Sequence, residues 1–319
     1  MKKFVYLSHN QSIKNHLFSQ SIIMFLAVVM MLINTGCSQK VFHPSPPTVN
    51  KTRKNLPYLK IGILPLQNFQ NQQRMIKQFD SYLEKSLGRT VDIQLAKNYD
   101  EAVNWLVEEK VDIAYLGPLT YLEALDRGAK IEPLVASIDK NTGQPWYRAC
   151  IIIKSDSSIH SLSDLKGRRV AFIDKLSTAG YLMPLAAFRK LNIDPNHDFK
   201  KFIYTGSHTK SMEALENGIV DAIATHIPFY TKQKKMGKFP QNSRILWESD
   251  PMPQFPVVVL KKLPPELIKQ LKQAFINTPD GIEDINGTES AGYTLVSASD
   301  YESIQQIRKD LNLISSPSK

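Results

Sequence analysis

Two cysteines in 319 residues leave no disulfide framework to hold this chain together, so folding must rest on apolar cores. No apolar run is long enough for a permanent membrane span: the uncharged stretch Ser21 to Ile33 covers about 13 residues, short of the roughly 20 a bilayer requires. Aromatic residues do not interleave with basic ones as a single-strand groove needs, so the formal charge of +10 does not point to nucleic acid. The seven histidines show no metal-ligand spacing, and neither metal nor cofactor is expected. No histidine adjoins Ser177 as an activating base, and Cys150 falls in a predicted buried strand, so catalysis is not expected. What remains is 42% hydrophobic and 22% charged, which excludes disorder, collagen and coiled coil and suffices for two cores.

The N-terminus points to a compartment. Lys2, Lys3 and Lys14 precede the apolar run, no acid interrupts it, and Asn34-Thr35-Gly36-Cys37 follows. Thr-Gly-Cys after such a core resembles the lipobox of bacterial lipoproteins, with Asn34 where Leu is usual. That resemblance implies a signal peptide over 1–36 and an acylated Cys37; an uncleaved signal anchor is the alternative. Residues 37–57 are rich in Ser, Pro, Asn and Lys, as a solvated tether is, and Lys51, Arg53 and Lys54 could sit beside anionic lipid.

Beyond the tether, β-rich runs alternate with helical patterns, the mark of parallel α/β architecture. Strands are expected at Leu59–Leu64, Val91–Leu95, Val111–Tyr115 and Ile131–Ile138, with helices at Arg74–Leu87, Tyr99–Glu109 and Leu119–Asp126. After Asn141-Thr142-Gly143 the rhythm restarts. Strands are expected at Ala149–Ile153, Val170–Ile173, Phe202–Tyr204 and Asp221–Thr225, and helices at Gly180–Lys190 and Ser211–Asn217. Ser243–Trp247 and Val257–Leu260 flank Pro251, Pro253 and Pro256, a stiff return to the first lobe, where helices at Pro265–Asn277 and Asp300–Leu311 complete the chain. The expected lobes are 58–148 plus 251–319, and 149–250. Two α/β lobes joined by two crossovers enclose a cleft, where ligands bind beyond the carboxyl ends of strands.

Four motifs occur in order: Val111-Asp112-Ile113-Ala114-Tyr115-Leu116-Gly117-Pro118, Leu176-Ser177-Thr178-Ala179-Gly180-Tyr181, Gly206-Ser207-His208 through Asp221-Ala222, and Val296-Ser297-Ala298-Ser299-Asp300-Tyr301. Together they resemble those of the phosphate/phosphite/phosphonate-binding proteins of ABC transporters, over Leu59 to Leu313. The resemblance implies a type II periplasmic-binding-protein (Venus-flytrap) fold that closes on a small phosphorus oxyanion. Implied too are an ABC permease partner, a place in the cell envelope facing the periplasm or exterior, and a monomer. A receptor presenting its loaded state to a membrane sensor is the alternative.

On that resemblance Ser177, Thr178 and Ala179 meet the oxyanion at a helix start, though a plain N-cap explains one hydroxyl equally well. His208 would touch the anion, Tyr147 would close over it with Trp146 as the other candidate wall, and the Gln67 amide could donate to it. Tyr115 is divided between core and cleft. Relatives that take aminoalkylphosphonates carry a carboxylate in the Pro-x-Asp-Pro place and another past the Asp-Ala strand. Here those places read Pro253-Gln254-Phe255-Pro256 and Ala222 to Phe229, without an acid. A buried ammonium without counter-charge costs several kcal/mol, so a compact oxyanion against Phe255 is expected.

Overall fold

The computed structural model describes residues 58–279, 282, 284 and 289–313. The leader, Cys37 and the tether to Pro57 lie outside the described residues. The first lobe opens with β1 (Leu59–Ile63), α1 (Phe69–Leu87), β2 (Val91–Leu95), α2 (Tyr99–Val107), β3 (Ile113–Tyr115), α3 (Pro118–Asp126) and β4 (Ile131–Asp139). After β5 (Trp146–Tyr147) come β6 (Ala149–Lys154) and β7 (Arg169–Phe172), then a π-helical turn over Thr178–Leu182 that runs into α4 (Met183–Lys190). Next are α5 (Pro195–Asp198), β8 (Lys201–Tyr204), α6 (His208–Glu216), β9 (Ala222–His226), α7 (Ile227–Lys235) and β10 (Ser243–Glu248). The chain returns through β11 (Met252–Pro253) to β12 (Pro256–Leu260), α8 (Pro265–Ile276), β13 (Ser290–Leu295) and α9 (Glu302–Asp310).

Eleven of these strands form two sheets, one in each lobe, ordered β13-β4-β12-β3-β1-β2 and β10-β6-β9-β7-β8, and β5 and β11 form a third of two strands. In the first, β1 runs parallel to β2 and β3, while the returning β12 is antiparallel to both β3 and β4. In the second, β7 is parallel to β8 and β9, and β6 is antiparallel to β9 and β10. The two connections between the sheets pair with each other: Met252 lies opposite Tyr147 and Pro253 opposite Trp146. The hinge is therefore a two-stranded antiparallel ribbon.

Helix α1 begins at Phe69, five residues before the predicted start, because the Asn68 side chain accepts the Asn71 N–H at 2.9 Å and caps an otherwise polar first turn. Its Met75, Phe79 and Leu83 are buried, and Phe79 packs with α8 through Phe275, ring centroids 5.7 Å apart. Burying one such side chain stabilises by roughly 1.5–3 kcal/mol. Helices α2, α3 and α9 cover the opposite face, where Val103, Leu106, Tyr121 and Ile304 share a core. In the second lobe Phe172 and Phe188 fill one side of the sheet, and Leu215 and Phe229 the other.

Tyr115 is a correction to the sequence reading. Its ring meets Phe79 edge-on at 6.0 Å, and its hydroxyl lies 3.3 Å from that of Tyr293. Side chains alternate across a strand, so Ala114 faces the α2–α3 layer and Tyr115 the α1–α8 layer, away from the cleft. The sequence pattern did not predict α5, α7, the edge strand β13 or the short strands β5 and β11.

Candidate functional site

Helix starts gather where the lobes face each other. Gly117 is the N-cap of α3, Ser177 of the π-helical turn leading into α4, Ser207 of α6 and His226 of α7. A helix start presents N–H groups without intrahelical partners and the positive end of a helix dipole, which suits an anion, although at α7 the Ile227 N–H is taken by the Arg148 carbonyl and the Phe229 N–H by His226. Three hydrogen bonds tie the facing loops together: Leu119 N–H to Thr178 Oγ1 at 2.9 Å, Thr120 Oγ1 to the Leu176 carbonyl at 2.9 Å, and His208 N–H to the Leu66 carbonyl at 3.2 Å.

Ser177 acts as a cap, its Oγ accepting the Gly180 N–H at 3.0 Å. Because a hydroxyl oxygen that accepts still holds its own proton, Ser177 and Thr178 each retain one O–H to donate. Gly180 is obligatory here: a Cβ at that position would lie 2.6 Å from Ile173 Cβ and 2.8 Å from Ser177 Oγ. Ala179 is buried beside them.

His208 is 2% exposed, and its Nδ1 lies 2.9 Å from Thr225 Oγ1. Burial pushes its pKa down to about 3, so the ring is neutral at physiological pH. The His226 ring stands edge-on to it, centroids 4.5 Å apart. Burial, and then the neighbouring His208, hold His226 well below the ordinary histidine value. Phe229 packs on both imidazoles at 5.4 and 5.9 Å, and Phe255 lies 6.0 Å from His226 and 5.2 Å from Tyr147. Tyr147, His208, His226, Phe229 and Phe255 thus form one continuous aromatic wall.

Tyr147 faces this wall, whereas Trp146 is 43% exposed on the other side of the ribbon. The Tyr147 hydroxyl is buried without a well-formed hydrogen bond. Burial first, and then Tyr99, raise its pKa, while the Thr178 hydroxyl acts the other way. Gln67 is buried in the loop after β1, its N–H 3.4 Å from Gln72 Oε1, and the adjacent Leu66 carbonyl receives His208.

Two wall residues and one further tyrosine escaped sequence reasoning as site candidates: His226, Phe229 and Tyr99. Tyr99 opens α2, is 2% exposed and faces Asp174 and Ser177; burial first, then Asp174, raise its pKa. The available signal was position, since Tyr99 follows β2 and His226 closes β9 at their carboxyl ends.

On the ribbon side Asp139 lines a surface pocket with Trp146 and Tyr147, and its Oδ1 accepts the Asn141 and Thr142 N–H groups at 2.9 Å. Asp174 Oδ1 accepts the Leu176 N–H at 2.8 Å, and its pKa is raised chiefly by burial. Glu248 and Asp250 line a different groove, bounded by α4, the return crossover and α9, which shares no residue with the wall. Among the described residues no group of His, Cys, Asp and Glu is arranged to hold a metal ion.

Known proteins agree with this architecture. The chain is 29% identical over 259 residues to the phosphonates-binding periplasmic protein of Escherichia coli, covering 79% of this chain and 75% of that one. It is 28% identical over 226 residues to the phosphate-import protein PhnD of Mycolicibacterium smegmatis, covering 68% and 70%. Its fold matches a binding protein component of an ABC phosphonate transporter from Pseudomonas aeruginosa, with a TM-score of 0.71 at 24% identity over 79% of this chain and 85% of that one. It matches PhnD1 of Prochlorococcus marinus, solved in complex with methylphosphonate, equally well, with a TM-score of 0.71 at 22% identity over 80% and 98%. Residues 61–301 match the family model described as ABC transporter, phosphonate, periplasmic substrate-binding protein. The chain therefore belongs to the periplasmic phosphonate-binding family of ABC transporters, a two-lobed transport component rather than an enzyme.

Proposed function

We propose that this protein is a lipid-anchored solute-binding protein that closes on a small phosphorus oxyanion, namely phosphite, methylphosphonate, phosphate or a similar small phosphonate, and delivers it to an ABC permease. The observation that carries the reading is the aromatic wall beside the hydroxyls of Ser177 and Thr178. Hydroxyls, helix N–H groups and the His208 imidazole would hold the oxygens, and Tyr147, Phe229 and Phe255 would enclose the substituent. The rings supply no carboxylate to pair with an ammonium arm, so aminoethylphosphonate binds much more weakly. Gln67 and the Ala179 N–H complete the set of donors.

In this reading lobes 58–148 plus 251–319 and 149–250 turn about the ribbon of Tyr147 and Met252. Cys37 carries the lipid, residues 1–36 are removed, and 37–57 tether a monomer to the membrane. Several acyl chains hold a protein to a bilayer far better than one.

Calorimetry of the mature protein against phosphite, methylphosphonate, phosphate and aminoethylphosphonate tests the ligand. A preference for the amino ligand over the other three overturns it. Mass spectrometry tests the anchor: native protein without lipid on Cys37, or a Cys37→Ser variant processed like the parent, removes that part.

A further inference from the structure

His226 performs two tasks with its two ring nitrogens. It ends β9 and caps α7, where its Nδ1 accepts the Phe229 N–H at 3.2 Å. A neutral imidazole whose Nδ1 accepts must carry its proton on Nε2, so the cap fixes the tautomer. The cap is the one hydrogen bond of its side chain among the described residues, which leaves Nε2–H uncommitted. The ring is 2% exposed and stands among three cleft residues, 4.5 Å from His208, 5.6 Å from Tyr147 and 6.0 Å from Phe255.

We propose that His226 is a ligand-contacting, specificity-determining residue that presents Nε2–H to the bound anion beside His208. The inference rests on the reading of this cleft as an oxyanion site. It also sharpens the ligand class. Nε2 can become an acceptor only if the proton moves to Nδ1, which would break the α7 cap. The group facing His226 must therefore be an acceptor, an oxyanion oxygen, and an ammonium there meets a donor.

Two variants separate the two nitrogens. In His226→Asn the short amide still caps, since Asn is a preferred N-cap residue, but nothing reaches the place of Nε2. In His226→Gln the longer amide puts an N–H near that place, and Gln is a poor cap. Calorimetry with methylphosphonate and phosphite is read beside thermal unfolding. The expected result is a crossing. His226→Asn keeps the parent melting temperature and loses roughly tenfold to a hundredfold in affinity. His226→Gln melts lower and binds more tightly than His226→Asn. Parental affinity in His226→Asn, or affinity that follows melting temperature across the pair, overturns the proposal while leaving the oxyanion reading intact. A parent protein that binds neither ligand overturns both. Should His226→Gln fail to fold, the Asn variant alone decides.

Discussion

The hydroxyl oxygen of Thr178 in the second lobe accepts the Leu119 N–H of the first at 2.9 Å. One side chain therefore takes a helix-start donor from the facing lobe while keeping its own O–H to donate. In Thr178→Val, a near-isosteric change, both functions are lost. Charge-assisted hydrogen bonds contribute about 1.5–3 kcal/mol, so oxyanion affinity should fall roughly tenfold to a hundredfold, and Thr178→Ser should recover most of it. Titration calorimetry of the two variants checks this. Parental affinity in Thr178→Val with a loss in Thr178→Ser would assign the effect to packing of the threonine methyl instead.

The neutral imidazoles couple stability to pH. His208 is held down to about 3 and His226 well below its ordinary value, while in the unfolded chain both titrate near 6.5. Above about pH 6.5 neither state is protonated, and this contribution to stability is whole; it drains away as pH falls from there towards 3, because the unfolded state then binds more protons. The melting temperature should drop steeply across that window. A His208→Gln, His226→Asn double variant should show a shallower drop, and identical slopes would refute the account.

Gly180 gives a sharper structural test. A methyl group there meets the side chain of Ile173 and the capping oxygen of Ser177 at distances no packed structure sustains. Gly180→Ala should destabilise by about 1–3 kcal/mol, the usual range for overpacking, and should weaken ligand binding because the Ser177–Thr178 turn must shift. A combined Gly180→Ala, Ile173→Ala variant should regain part of the binding, though the smaller residue also leaves a core space. If the single variant melts and binds as the parent does, the close approach is not what holds the turn.

Much of this was legible in the sequence where periodicity was strong. Val91–Leu95 forms the predicted strand without change, and the single-faced pattern of Met75, Phe79 and Leu83 is the buried face of α1. Strand β13 was hidden because it is a partly exposed edge, and Gly292 within it has φ 103, which breaks the alternation. The hinge ribbon was hidden because two-residue strands have no period to detect. At the site, Ser177, Thr178 and His208 could be found because a local motif carries them. Tyr99 and His226 carry no such motif and were marked only by their places at strand ends more than a hundred residues apart in the chain. Tyr115 was placed partly in the cleft because a strand's last residue can face either way, and one step of parity decides.

The final prediction concerns ligand class and turns on two phenylalanines. Phe255 packs on Tyr147 at 5.2 Å and Phe229 on His208 at 5.4 Å, so both apolar rings border the imidazole pair. Phe255→Asp places a carboxylate where the wall has none, and its counter-charge should raise affinity for aminoethylphosphonate while repelling the oxyanion of methylphosphonate. The ratio of the two dissociation constants is the quantity to measure, since it cancels any general loosening of the cleft. It should move by tenfold or more towards the amino ligand, about 1.4 kcal/mol. Phe229→Glu should act in the same direction. The new acid is partly desolvated, so a lower melting temperature is expected in each variant. If the ratio is unmoved in both while binding persists, the substituent end of the ligand lies elsewhere, and the aromatic wall is packing alone.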